Sequence, residues 1–94
     1  FVESNKELIV WGAGAKGSTF VNITDPENKL ISCVVDINPK KANKYVAKSG
    51  HKIVFPDILS KFGSGDVLVM NGNYYDEIRS ELSEEHFKVF VLGE

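Results

Sequence analysis

Short apolar runs alternate with polar, glycine-bearing stretches along this chain, in the rhythm of strands exchanging with helices. Glu7-Leu8-Ile9-Val10-Trp11 is an apolar run closed by Gly12, the pattern of a strand buried on both faces. Beyond the glycines, Ser18-Thr19-Phe20-Val21-Asn22-Ile23 continues a helix with Phe20 and Ile23 on its apolar side, and Asp25-Pro26-Glu27-Asn28 has turn chemistry. Leu30 to Val35 predicts a second strand stopped by Asp36. Asp36-Ile37-Asn38-Pro39 is again a turn, and the lysines after it belong to a loop or short helix. His51-Lys52-Ile53-Val54 is a weaker strand near a sheet edge. Pro56 suits the first turn of a helix carrying Ile58, Leu59 and Phe62, ended by Gly63-Ser64-Gly65. Val67-Leu68-Val69-Met70 is the strongest strand signal. Tyr74, Ile78 and Leu82 at helical spacing predict a helix from Tyr75 to about Glu85, and Lys88 to Leu92 reads as a last strand.

Alternating strands and helices argue for a parallel sheet with helices on both faces. The expectation is an α/β, Rossmann-like three-layer α/β/α sandwich whose mostly parallel, five-stranded sheet runs in the order 3-2-1-4-5. No internal repeat, linker or low-complexity stretch divides the chain, so residues 1–94 read as one domain.

Composition narrows the function without naming it. The apolar share of 43% and charged share of 26% are ordinary for a globular protein. A net charge of −2 offers no electrostatic case for nucleic acid or an anionic membrane. No run approaches the roughly 20 apolar residues of a membrane span and no signal peptide is visible, so a cytoplasmic location is expected. Cys33, the single cysteine, rules out an internal disulfide and reads as a buried small hydrophobe. The sequence opens at Phe1 without an initiator Met, which predicts a domain cut from a longer polypeptide.

The chemistry concentrates in Gly12-Ala13-Gly14-Ala15-Lys16-Gly17, which has the G-x-G-x-x-G spacing and sits between a strand and a helix. Gly12 permits the tight turn, Gly14 lets phosphates approach the backbone, and Gly17 allows close helix–sheet packing. Free N–H groups and the positive end of the helix dipole then face an anion. Lys16 opposes that dipole, a penalty that a bound phosphate would reverse. Ser18 and Thr19 can donate to a phosphate or to their own backbone. Asp36 stands about twenty residues on, where a ribose-binding acid belongs, and it equally fits an Asx-turn. Lys40 and Lys41 open a basic stretch continued by Lys44, Lys48 and Lys52; such runs are ordinarily solvated faces, but the first two would lie beside a nucleotide's ribose. Asn71 and Tyr74 follow the strongest strand at the carboxyl edge of the sheet, within reach of the same ligand, and Tyr74 equally fits the core. His51 and His86 have no partners at metal spacing and read as structural or exposed; no set of residues makes a complete catalytic site.

Val10 to Asn22, followed by Val34-Val35-Asp36-Ile37-Asn38-Pro39-Lys40-Lys41, resembles the C-terminal Rossmann-like domain of S-adenosylmethionine-dependent sugar C-methyltransferases. That family has an aromatic-Gly-Ala-x-Ala-Lys-Gly loop, a Thr-x-x-Asn helix and a Val-Asp-x-x-Pro-x-Lys turn. Asn73-Tyr74-Tyr75-Asp76-Glu77-Ile78 is similar to its Asn-Tyr-x-x-Glu-Ile helix opening, so the likeness covers most of the chain. It departs at Ala42-Asn43-Lys44-Tyr45-Val46-Ala47, where the family's Tyr is kept but the Pro-Gly after it is not. The resemblance implies a domain that is not catalytic alone and holds a nucleotide-diphosphate sugar against a preceding methyltransferase domain of the same chain. It places Gly12 to Gly17 at the pyrophosphate and Asp36 near the nucleotide end, with no cofactor in this segment and S-adenosylmethionine in the neighbouring domain. A looser similarity, to the nucleotide-sugar-binding N-terminal domain of bacterial sugar acetyltransferases, also points to an activated sugar. Two alternatives stay open: an NAD(P)-binding domain of an oxidoreductase, supported by the glycine spacing and Asp36, and a ligand-free docking domain.

Overall fold

Glu7–Trp11 forms the central strand β1 of an all-parallel sheet, and Val10 lies in register with Val34 on one side and Leu68 on the other. The computed structural model describes residues 7–62, 64–70, 72, 75–82 and 86–91. The chain runs from β1 through α1 (Ala15–Thr24) to β2 (Cys33–Val35), then by a turn-rich excursion to β3 (Ile53–Val54). A 3-10 turn at Pro56–Ile58 leads into α2 (Leu59–Phe62), followed by β4 (Gly65–Val69), α3 (Tyr75–Glu81) and β5 (Phe87–Val91). The sheet order is β3-β2-β1-β4-β5, with every neighbouring pair parallel.

The period-2 alternation of each strand divides the core into two layers. Leu8, Val10, Val34, Ile53 and Leu68 pack with Val21 and Phe20 of α1, while Ile9, Trp11, Cys33, Val35, Val67 and Val69 pack with Leu59 and Ile78 of α2 and α3. The chain steps from β1 to β2 one way and from β3 to β4 and β5 the other. Right-handed crossovers therefore place α1 on one face and α2 and α3 on the opposite one. Cys33 belongs to this interior: burial, helped by the charge of Glu7, pushes its thiol up to about 12.

Several boundaries differ from the sequence expectation, each for a local reason. Gly17 and Val21, one turn apart, form the buried side of α1, and Ile23 is 74% exposed instead of facing the core. The phase is set by Gly17, which lies against Gly12: a Cβ there would stand 1.7 Å from the Gly12 carbonyl oxygen. β2 starts at Cys33 and not at Leu30, because the Leu30 and Ile31 N–H groups donate to the Asp25 carboxylate at 2.9 and 2.8 Å. β3 keeps only Ile53 and Val54, since Tyr45 and Lys52 form an antiparallel bridge and His51 accepts from the Val46 N–H at 2.8 Å. Gly65, expected at a helix end, begins β4; a Cβ there would lie 2.7 Å from the Glu7 carbonyl oxygen. The expected end of the last helix near Glu85 lies outside the described residues.

A polar cluster occupies the other end of the sheet. The Asp25 carboxylate accepts from Lys29, Leu30 and Ile31 N–H groups and from His51 Nε2 at 2.8 Å. His51 is fully buried, and its Nδ1 lies 2.7 Å from Ser49 Oγ. The two ring nitrogens thus bridge the Asp25 carboxylate and the Ser49 hydroxyl. His51 is thus structural, as expected, and its acidic partner stands 26 residues away in sequence. Burial acts to raise the Asp25 pKa, but the backbone N–H bonds and the His51 contact outweigh it and lower the value to about 2.

Two outcomes follow from these contacts. Gly17→Ala forces a methyl group into a backbone carbonyl, and urea unfolding should show a loss of more than about 3 kcal/mol or no folded state. A wild-type-like urea midpoint would contradict the packing. Because Asp25 titrates lower in the folded state, its contribution is complete above the unfolded carboxylate value of 3.8 and disappears as pH falls through about 2. Urea midpoints between pH 5 and pH 2 should record about 2 kcal/mol of lost stability from this group, a limb that Asp25→Asn removes.

Candidate functional site

The carboxyl edge of β1 delivers the glycine loop to the point where the sheet order changes direction, between β1 and β4. The loop is fastened before it turns: the Gly12 N–H donates to the Val35 carbonyl at 2.7 Å, and the Met70 N–H donates to the Trp11 carbonyl at 3.3 Å. Gly12 has φ +118°, a conformation that glycine adopts without a Cβ penalty. Gly17 is required by its contact with Gly12. Gly14 is different. It is exposed, has φ −72°, and a Cβ there would meet nothing within 4 Å. Neither backbone strain nor internal packing explains a glycine at that position.

Ala13 is clamped at both ends of its backbone. Its N–H donates to Asp36 Oδ2 at 2.9 Å and its carbonyl accepts from the Ser18 hydroxyl at 3.1 Å. Asp36 Oδ1 accepts from the Asn38 N–H at 2.9 Å, the Asx-turn bond anticipated from sequence. Asn38 repeats the device, its side chain accepting from the Lys40 N–H and its carbonyl from the Lys41 N–H, both at 3.0 Å. One carboxylate thus joins the glycine loop to the turn that carries Ile37 and Lys41.

Between these two walls lies a cleft of about 380 Å³, lined on the loop side by Gly12, Gly14, Ala15, Lys16 and Gly17. Asp36, Ile37 and Lys41 form the facing wall, and Trp11, Val69 and Met70 at the ends of β1 and β4 form an apolar floor. Gly14 is the N-cap of α1 and no side chain caps that helix, so the first-turn N–H groups of Ala15 and Lys16 have no partner i−4 within it. Those donors, the helix dipole and the Lys16 ammonium concentrate positive potential on one rim.

The structure therefore gathers Gly12, Gly14, Ala15, Lys16, Gly17 and Asp36 around one cleft. Ala13 and Ser18 serve the loop from behind, and Thr19 and Lys40 are exposed positions outside the lining. Lys44, Lys48 and Lys52 are exposed along the β2–β3 excursion, the solvated face expected of them. Asn71 and Tyr74 lie outside the described residues. Trp11, Ile37, Val69 and Met70 were not anticipated as site residues. Three of them end apolar strand runs at the carboxyl edge, and their position there was the available signal. His86 is exposed, and no cluster of metal-ligating residues occurs among the described residues.

No curated protein matches the chain. The family model described as the C-methyltransferase C-terminal domain matches residues 1–89, spanning the glycine loop, the Asp36 turn and nearly all of the sheet. With the match extending over almost its whole length, this chain belongs to the C-methyltransferase C-terminal domain family.

Proposed function

We propose that this domain holds the nucleotide-diphosphate end of an activated sugar for a methyltransferase domain preceding it in the same polypeptide, and performs no chemistry alone. The cleft carries the reading: uncapped helix N–H groups and Lys16 face Lys41 across a gap of about 380 Å³. That volume falls in the range of ligand sites, roughly 300–1,000 Å³. A diphosphate suits it because two adjacent anionic groups can meet the α1 amides and both ammonium groups together. The apolar floor of Trp11, Val69 and Met70 would take a less polar part of the ligand. S-adenosylmethionine belongs, on this reading, to the preceding domain, together with the residues that move protons during transfer.

Gly14 supports the same assignment, since open space toward the cleft accounts for a glycine that packing does not. Its replacement separates binding from folding. Gly14→Ala should change stability by less than about 1 kcal/mol, within the range of N-cap substitutions. It should also weaken binding of uridine or thymidine diphosphate sugars by about tenfold or more, about 1.4 kcal/mol in binding free energy. Unchanged affinity in the folded variant counts against phosphate contact with the loop.

Titration of the wild-type chain with those sugars should shift the amide resonances of Gly14 to Gly17 and Lys41. Silence at millimolar ligand overturns the proposal. Lys16→Ala should weaken binding by roughly tenfold at low salt and by less as ionic strength rises, because an exposed charge is screened within about 10 Å at 0.1 M. A salt-independent loss points away from an electrostatic contact.

A further inference from the structure

We infer that the excursion between β2 and β3 is a one-sided electrostatic guide: Lys44 and Lys52, outside the cleft lining, draw anions toward the cleft and speed the arrival of its ligand. The inference rests on the diphosphate-binding reading above and concerns how that ligand reaches its site. Residues 37–55 carry five lysines and no aspartate or glutamate, whereas the whole chain has 11 basic and 13 acidic side chains. The excess of acid therefore lies entirely outside this segment. Among the described residues none of the five lysines forms a salt bridge, so their charge is not cancelled locally. On the other flank the sign reverses. The crossover from β4 opens α3 at the carboxyl edge of the sheet, with exposed Asp76 and Glu77 in its first turn. An approaching anion is repelled on that side and attracted along the lysines.

Register sets how far each lysine stands from the cleft. The Asp36 N–H donates to the Val54 carbonyl at 3.0 Å, which places the end of β3 beside a residue of the cleft wall. One residue back, the Ile53 N–H donates to the Lys44 carbonyl at 2.8 Å, and before it Lys52 is bridged to Tyr45. At about 3.3 Å of rise per residue, Lys44 and Lys52 sit roughly 7 and 10 Å from the level of the cleft. Lys48 lies beyond His51 in the turn at the opposite end, next to Ala47, whose carbonyl accepts from the Asn22 amide near the end of α1. By the same count it is roughly 13 Å away or more. Screening over about 10 Å at 0.1 M ionic strength lets Lys44 and Lys52 act on the cleft and leaves Lys48 nearly without effect. Like charges gathered beside a cleft with an apolar floor raise the local concentration and on-rate of an oppositely charged ligand.

Trp11, the single tryptophan, lines the cleft floor and reports ligand arrival in stopped-flow fluorescence. With uridine diphosphate at 0.1 M ionic strength, the double variant Lys44→Gln/Lys52→Gln should show an association rate about threefold lower and an unchanged dissociation rate. Lys48→Gln should stay within about 1.3-fold of wild type, and at 0.5 M salt all three proteins should coincide. A loss confined to the dissociation rate overturns the inference, because the lysines then hold the ligand instead of guiding it. An equal loss in Lys48→Gln also overturns it, since net charge and not placement is then responsible. A second measurement needs no bound nucleotide: amide relaxation caused by an anionic nitroxide is compared with that caused by a neutral nitroxide of similar size. At low salt the anionic probe should be enriched at Gly14 to Lys16 over Asp76 and Glu77, and the double variant should lower that enrichment about 1.5-fold at 0.1 M. Equal enrichment on both flanks, or no change in the variant, overturns the guide. Failure of the wild type to bind uridine diphosphate sinks the diphosphate-binding reading instead, and the nitroxide comparison still decides the inference.

Discussion

The approach of Gly17 to the carbonyl of Gly12 is the contact on which the rest of the domain turns. It brings α1 against the end of β1 closer than any side chain would allow. The rotation of α1 follows from it, with Val21 directed into the core and Ile23 outward. The start of α1 is fixed by the same contact, so its unpartnered N–H groups are set at the cleft rim. A single backbone-to-backbone distance thereby links the packing of one core layer to the electrostatics of the site. The three glycines of the loop consequently answer to three constraints: dihedral freedom at Gly12, contact at Gly17, and open access at Gly14.

Asp36 extends that order across the cleft. The loop and the following turn come from strands that are neighbours in the sheet, but adjacency alone does not fix their spacing. A carboxylate bonded to an N–H on each side does, and a charged acceptor makes each bond stronger than one between neutral groups. The wall bearing Ile37 and Lys41 is therefore held in place by the protein's own hydrogen bonds. Preorganisation of this kind lowers the ordering cost that binding otherwise carries.

The order of the sheet was legible because β1 and β4 are apolar on both faces and the linking elements have clear breakers at Gly12, Asp36 and Gly63-Ser64-Gly65. The glycine spacing and Asp36 likewise located the cleft. What escaped depends on partners distant in sequence. Leu30 and Ile31 have the composition of a strand, yet their N–H groups belong to Asp25, and no local pattern reveals that. His51 reads as isolated along the chain, although Asp25 is its buried partner. The bond from Asp36 to Ala13 crosses 23 residues and becomes visible only once β1 and β2 are paired. Trp11, Val69 and Met70 resemble ordinary core residues; they floor a cleft because their strands end there.

The Asp25 cluster joins groups at very different distances along the chain. Its bonds to Lys29, Leu30 and Ile31 close short loops and need nothing beyond the end of α1. Its bond to His51 closes a longer loop, across the excursion between β2 and β3. That excursion has positive φ at Asn43, Lys48 and Gly50 and folds back on itself, with backbone bonds between Asn43 and Ile53, Lys44 and Ile53, and Val46 and His51. It is also tied to the rest of the domain, by Asp25 on His51 and by the Asn22 amide on the Ala47 carbonyl. One carboxylate therefore serves two separate tasks: it closes its own turn and it fastens the excursion between β2 and β3 to the end of α1.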